Sequence, residues 1–361
     1  METTLLTENE FYEQMRARLA KVVPEFEIKY KAELAFKINR LKKERNAIVL
    51  GHNYMEPALF HSIPDFTGDS LELCRKAAAT NADIIVFCGV RFMAETAKIL
   101  NPEKTVLIPS PKAGCSLAES ITAEDVRSLR RQYPGVPIVT YINTYADVKA
   151  ECDICCTSGN AAKVVESLKS DRVIFLPDEY LASNVARETG KQIIFPTRMP
   201  RAAESGSGSP TGMPDGQGRL HYELIGWRGR CEVHEKFTVE DIANVRKQFP
   251  DTVVLAHPEC SPEVVAASDF SGSTAAMIRY VTEVGAPRYL LLTECSMGDN
   301  IAAALPHREM LRLCSMRCPH MNEITLEDTL DALVKTRYVV EVPEDIRRRA
   351  LRSVERMLEI G

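Results

Sequence analysis

Cys115, Cys231 and Cys318 each end a segment that begins as a short apolar run: KTVLIPSPKAGC, KQIIFP followed later by GWRGRC, and REMLRLCSMRC. They are 116 and 87 residues apart, and the first interval falls to 95 without the Ser-, Gly-, Pro- and Arg-rich stretch 198–218. Three thiolates from equivalent positions suit a metal centre. Structural zinc usually takes four ligands, often in CxxC pairs, whereas these three are solitary. A cubane iron–sulfur cluster held by three cysteines leaves one iron without a protein ligand, free to act as a Lewis acid. On spacing alone, zinc and plain buried thiols stay open beside the cluster.

The remaining cysteines read differently. Cys152, Cys155 and Cys156 form a CxxC-like element whose expected role is structural. Cys314 lies outside the repeat and is expected not to be a ligand. Cys74 and Cys88 read as core, and Cys260 and Cys295 follow strand ends without being first-choice ligands.

Groups able to exchange protons end three strand-like runs: His52 and Tyr54 after NAIVLG, Tyr141 and Asn143 in VPIVTYINT, and His257 and Glu259 after DTVVLA. His, Tyr and Glu all serve as acids or bases when their pKa values are tuned. Ser70, Ser158, Ser273 and Thr274 follow 16 to 18 residues later and are helix N-cap types. His61, His221, His234 and His307 are expected to be surface or structural residues. His320, two after Cys318, is a candidate to support the metal ligands.

Positioning these groups requires a repeated frame. Residues 8–46 are charged and helix-periodic, interrupted at Pro24; strand-sized apolar runs then alternate with amphipathic stretches, the pattern of an α/β chain with parallel sheets. The order of strand, polar tip, Ser-bearing helix start, second strand and Cys occurs three times. The expected organisation is a helical segment 1–45, a first unit 46–115 completed by a C-terminal helix 335–361, a second unit 116–231 with a mobile surface loop at 198–218, and a third unit 232–334. Ligands of open α/β sheets bind beyond the carboxyl ends of the strands. Three units about a pseudo-threefold axis would aim three tips and three helix N-termini at one central site for small anions.

The net charge of −5 supplies no basic field for nucleic acid. No apolar run reaches the roughly 18 residues a membrane span needs, and the acidic N-terminus has no signal-peptide core. Eleven cysteines without such a signal point to thiols, ligands or catalysts in a reducing cytoplasm rather than to disulfides.

GHNYMEP, DFTGDSLEL, GVRFMAETAKIL, GCSL, YINTYADVKAECDICCTSGNA, PDEYLASNVA, WRGRCEVHEKF, HPECSPEVVAASDFSGST and CPHMNEITL, in this order over residues 45–325, resemble the successive motifs of the quinolinate synthases. The resemblance implies three α/β/α domains around a central active site with a [4Fe–4S] cluster, Cys115, Cys231 and Cys318 matching its ligand positions. It implies condensation of iminoaspartate with dihydroxyacetone phosphate to quinolinate, with loss of phosphate and water, in NAD biosynthesis. His52, Tyr54, Tyr141, Asn143, His257 and Glu259 match active-site positions, and Ser70, Ser158, Ser273 and Thr274 match positions that contact carboxylates or phosphate. The roles expected are proton transfer by Glu259 and Tyr54, holding of intermediates by Tyr141 and Asn143, and orientation of a phosphate or carbonyl by His257. The partners implied are these small molecules and an aspartate-oxidising enzyme that supplies iminoaspartate, with no nucleic acid and no membrane. The expected state is a monomer or homodimer in the cytoplasm. The 198–218 segment lies outside the motif set. A zinc-dependent lyase and an iron–sulfur sensor are the competing readings; the sensor would need a basic stripe the chain does not show.

Overall fold

The computed structural model describes residues 6–195, 223–313 and 316–360. The 198–218 stretch, His221 and Cys314 lie outside the described residues. Two helices, Glu8–Leu19 and Glu25–Glu44, precede the sheets, with Pro24 at the N-cap of the second. Proline's fixed φ and missing N–H suit a helix start and not a helix interior.

The chain then builds three parallel sheets. The first has β1 (Ala47–His52), β2 (Phe66–Gly68), β3 (Ile84–Cys88) and β4 (Thr105–Leu107) in the order β2-β1-β3-β4. The second has β5 (Ile138–Tyr141), β6 (Ile154–Cys156), β7 (Arg172–Leu176), β8 (Gln192–Ile194) and β9 (Glu223–Gly226) in the order β6-β5-β7-β9-β8. The third has β10 (Val253–Ala256), β11 (Phe270–Ser271), β12 (Arg288–Leu292) and β13 (Glu309–Leu311) in the order β11-β10-β12-β13. All the strand pairs are parallel. Helices cover both faces of such sheets, so the inner strands read as continuous Val/Ile/Leu runs rather than alternating ones; β3 is buried along its whole length.

The second unit departs from the simple reading of its third apolar run. KQIIFP forms β8, but β8 lies at the sheet edge. The place next to β7, equivalent to β4 and β13, is taken by β9. Cys231 therefore follows β9, just as Cys115 follows β4 and Cys318 follows β13.

The repetition extends to side chains. Asp65, Asp153 and Asp269 each precede an edge strand, and each accepts the backbone N–H of the central strand: Val49 at 2.8 Å, Ile138 at 2.8 Å and Val254 at 2.7 Å. Each also meets a cation from the helix before that strand, namely Lys42 at 2.9 Å, Arg130 at 3.2 Å and Arg246 at 2.8 Å. Seven residues beyond each of Cys115, Cys231 and Cys318 stands a threonine, Thr122, Thr238 or Thr325. Each caps a helix by accepting the N–H of Asp125, Asp241 or Asp328. A Thr-to-Asp N3 contact of this kind satisfies amides that a helix start leaves open.

The C-terminal segment divides between units. Val339 bridges antiparallel to Leu107 at the edge of the first sheet, and helix Leu326–Lys335 packs on Glu25–Glu44 and β3. Helix Glu344–Glu359, expected to complete the first unit, lies on β6 of the second sheet as well as on helix Arg91–Leu100 of the first. Cys155 Sγ and Lys149 O both meet Ser353 Oγ there. Among the described residues, no helix is long and apolar enough to cross a membrane.

Asp153→Ala removes the acceptor of the Ile138 amide. A part-buried amide left without a partner costs about 1–3 kcal/mol. Urea unfolding should show a loss of that size, and an unchanged midpoint would mean that water replaces the carboxylate.

Candidate active site

The carboxyl ends of the three central strands open on one cavity. Its lining includes His52, Tyr54, Ser70, Tyr141, Asn143, Ser158, His257, Glu259 and Thr274, together with Cys115, Cys231 and Cys318. Two tips share a local turn. The N–H of Tyr54 donates to His52 Nδ1 at 3.2 Å, and the N–H of Glu259 donates to His257 Nδ1 at 3.3 Å. With Nδ1 an acceptor, the proton of each neutral ring is on Nε2. Burial first, and for His257 also the neighbouring His234 and His52, lowers the two imidazoles to about 4 for His52 and about 3 for His257. Both are neutral hydrogen-bond donors at physiological pH.

Glu259 is the hub of the cavity. It is 3 % exposed. Its Oε2 lies 2.6 Å from His234 Nδ1 and its Oε1 accepts from Asn143 Nδ2 at 3.3 Å, while Tyr141 supplies a further hydrogen bond. Burial opposes its ionisation, but His234, and after it His257 and Tyr141, hold its carboxyl below the ordinary range. Asp178, fully buried nearby, is driven the other way by burial and by the charge of Glu259. Two buried carboxyls close together do not both ionise. Burial also raises Tyr54 and Tyr141, which stay protonated. The Tyr54 hydroxyl lies 2.5 Å from Thr293 Oγ1 and 3.4 Å from His234 Nε2.

The three cysteines that line the cavity are partly exposed, whereas the other cysteines among the described residues are buried. Each sits at the start of one turn, and the amides two and three residues on favour its thiolate: Leu117 and Ala118 for Cys115, Val233 and His234 for Cys231, and His320 and Met321 for Cys318. Burial alone outweighs those amides, pushing Cys115 up to about 12, Cys318 to about 11 and Cys231 well above its usual value. As bare groups they are neutral thiols. A bound cation reverses that balance, because a coordinating thiol is deprotonated outright. Three sulfurs cradled alike and lining one cavity fit a cluster held by three protein ligands. Cys74, Cys88, Cys152, Cys155, Cys156, Cys260 and Cys295 are buried, and none lines the cavity.

Several helix starts differ from expectation. Asp69, not Ser70, caps helix Ser70–Ala79, accepting from Leu71 and Glu72. Ser158 caps nothing: Asn160 Oδ1 takes the Thr157 amide at 2.7 Å, and the helix begins at Ala161. Ser273 does cap helix Thr274–Val284. It lines the adjoining groove beside Ser158 and Gly159 rather than the cavity itself.

Two further groups line the cavity that sequence reasoning set aside or passed over. His234, read as surface or structural, is 2 % exposed and touches both Glu259 and Cys231, the latter at 3.2 Å. It is three residues after Cys231, where the other units have Ala118 and Met321; aligning the repeats would have marked it. Glu294 stands beyond β12, where the other units have Val90 and Asp178. It caps helix Cys295–Ala304 through Ser296 N at 2.7 Å, and burial raises it to about 7. His320 also lines the cavity and meets Glu232 at 3.1 Å.

A family model described as "Quinolinate synthetase A protein" matches residues 36–359. The chain is 54 % identical over 320 residues to "Quinolinate synthase 2" of Mesorhizobium japonicum, covering 89 % of each chain. It is 52 % identical over 343 residues to "Quinolinate synthase" of Agrobacterium fabrum, covering 95 % of this chain and 90 % of the other. With "Quinolinate synthase" of Xylella fastidiosa the identity is 54 % over 323 residues, covering 90 % of this chain and 86 % of that one.

The neutral imidazoles give a pH signature. His52 and His257 are lowered to about 4 and about 3 from 6.5, so between those values the unfolded chain binds more protons than the folded one. Stability should be full above pH 6.5 and fall as pH drops towards 4. Urea unfolding across that range should show a flatter profile in His52→Asn and His257→Gln. Profiles identical to the parent would mean that the rings take up protons while folded.

Proposed function

The chain belongs to the quinolinate synthetase A family, and from that premise we propose that it condenses iminoaspartate with dihydroxyacetone phosphate to quinolinate, with loss of phosphate and water, using a [4Fe–4S] cluster on Cys115, Cys231 and Cys318. The observation that carries the reading is the common backbone cradle of those three cysteines, open to the same cavity as Glu259. When bound, the cluster supplies one iron without a protein ligand, a Lewis acid for a substrate oxygen or nitrogen.

The chain's own groups supply the rest. Helices Ser70–Ala79 and Thr274–Val284 start at the cavity, and helix N-termini favour carboxylate and phosphate. The Nε2–H groups of neutral His52 and His257 donate to those anions, with His257 orienting the phosphate or a carbonyl; Ser70, Ser158 and Thr274 complete the anion contacts, and Ser273 supports them from the adjoining groove as the cap of helix Thr274–Val284. Glu259, ionised and held by His234, accepts a proton from carbon activated by the imine or carbonyl. Tyr54, still protonated, donates to the oxygen that departs as water. Tyr141 and Asn143 fix Glu259 and hold the intermediates. The skeletons join with no change in overall oxidation level, so no external oxidant is called for. The division into units 46–115, 116–231 and 232–334, a cytoplasmic setting, and supply by an aspartate-oxidising enzyme belong to the same reading.

Protein purified without oxygen should carry about four iron and about four sulfide per chain and a broad brown absorption, lost in Cys115→Ala, Cys231→Ala and Cys318→Ala. One zinc per chain and no colour would overturn the cluster. Glu259→Gln should lower quinolinate formation by about 10²-fold or more while the brown absorption stays; loss of the colour would make Glu259 a structural residue instead.

A further inference from the structure

Cys231 faces a second set of donors besides its two partner cysteines. Its Sγ, His234 Nδ1 and a Glu259 oxygen lie within 4.8 Å of one another in a buried corner of the cavity. His234 Nδ1 is 3.2 Å from the sulfur and 2.6 Å from Glu259 Oε2. A tetrahedral ion with ordinary zinc bond lengths needs those two separations at about 3.6 and about 3.3 Å. Those two pairs have to part by less than about 1 Å, replacing hydrogen bonds with metal bonds. The imidazole is already oriented, since Nε2 meets Thr293 Oγ1 at 2.9 Å. A ligating histidine whose far nitrogen is so fixed is the usual arrangement around a metal.

We propose that the cluster-free chain binds one divalent transition-metal ion, of the zinc class, on Cys231, His234 and Glu259. Sulfur, imidazole and carboxylate are a donor set for such ions and not for magnesium or calcium. Binding releases the Cys231 thiol proton, and the neutral His234 ring ligates through Nδ1 with its one proton on Nε2, donated to Thr293 Oγ1. Three protein ligands leave a fourth position open to the cavity, as in catalytic zinc sites. Cys231 cannot serve both centres. The ion and the cluster therefore exclude each other, and an ion in this corner holds the chain in an inactive state until it is removed. The exclusion rests on the proposed cluster ligands; the ion site does not.

The test is cobalt titration of the full-length chain, stripped of iron by chelator without oxygen, with native circular dichroism as the folding control. The expected result is one Co²⁺ per chain with tetrahedral visible bands and a sulfur-to-cobalt band in the near ultraviolet. Both should be lost in Cys231→Ala and His234→Ala and retained in Cys115→Ala and Cys318→Ala. Zinc added beforehand should block incorporation of iron and sulfide until it is chelated. Loss of the cobalt signal in Cys115→Ala or Cys318→Ala would mean that the three cysteines hold the ion, overturning the proposal. So would retention in His234→Ala, no binding at all, or a stripped chain that has lost its native fold. The failure modes are separable: absence of iron and sulfide in the parent refutes the cluster, whereas the cobalt pattern alone decides the ion site.

Discussion

A carboxylate kept ionised in a buried position sets the terms for everything around it. Burying a charge without partners is costly enough that the group would neutralise instead. Glu259 avoids this because His234, Asn143, Tyr141 and His257 reach it from two different units. His234 follows the second sheet, Asn143 follows β5, and His257 shares the tip of β10 with Glu259 itself. The cavity therefore joins residues that follow strands of the second and third sheets with His52, Tyr54 and Ser70, which end or follow strands of the first. The charge on Glu259 then acts on its neighbours, raising both tyrosines and Asp178 after burial has done so. Protonated phenols thus sit beside an ionised carboxylate, while burial keeps His52 and His257 neutral against the charge of Glu259, which pulls both imidazoles up.

The threefold repetition solves a geometric problem. A single parallel sheet presents one set of strand tips, enough for one end of a substrate. Three sheets that share the order of their first four strands present three, the second sheet adding β8 at its edge, and a cysteine beyond each sheet lines the same cavity. The aspartate clamps at Asp65, Asp153 and Asp269 fix the edge strand to the central strand in each unit. The threonine caps seven residues after each cysteine fix the helix that leads away from it. Each cysteine is thus anchored between a sheet and a capped helix, which lets three distant thiols converge with little freedom.

Units that share a frame do not share chemistry. Equivalent places hold Ala118, His234 and Met321, or Val90, Asp178 and Glu294. The lining accordingly mixes the ionisable Glu259, His234 and Glu294 with the apolar Val90, Phe92 and Met93. It also creates the corner where Cys231 meets nitrogen and oxygen donors that Cys115 and Cys318 lack.

The frame was readable in the residues because it rests on local rules. Strand-sized Val/Ile/Leu runs, the Pro24 break, and the spacing of Cys115, Cys231 and Cys318 follow from backbone and burial preferences that act over a few residues. The tips His52, Tyr141 and His257 were readable for the same reason, each lying at or just beyond the end of an apolar run. What spacing left open was decided by contacts between residues far apart in sequence. His234 gave no local sign of function, since its burial comes from Glu259 and Thr293, 25 and 59 residues away in sequence. The caps at Asp69 and Asn160, rather than Ser70 and Ser158, depended on backbone angles that residue type does not settle. The edge position of β8 depended on β9, a strand across the intervening segment. Sequence by itself determined which elements form and how often they recur; only the tertiary structure decided which charges face one another, because the desolvation and partners that set those charges belong to the assembled cavity.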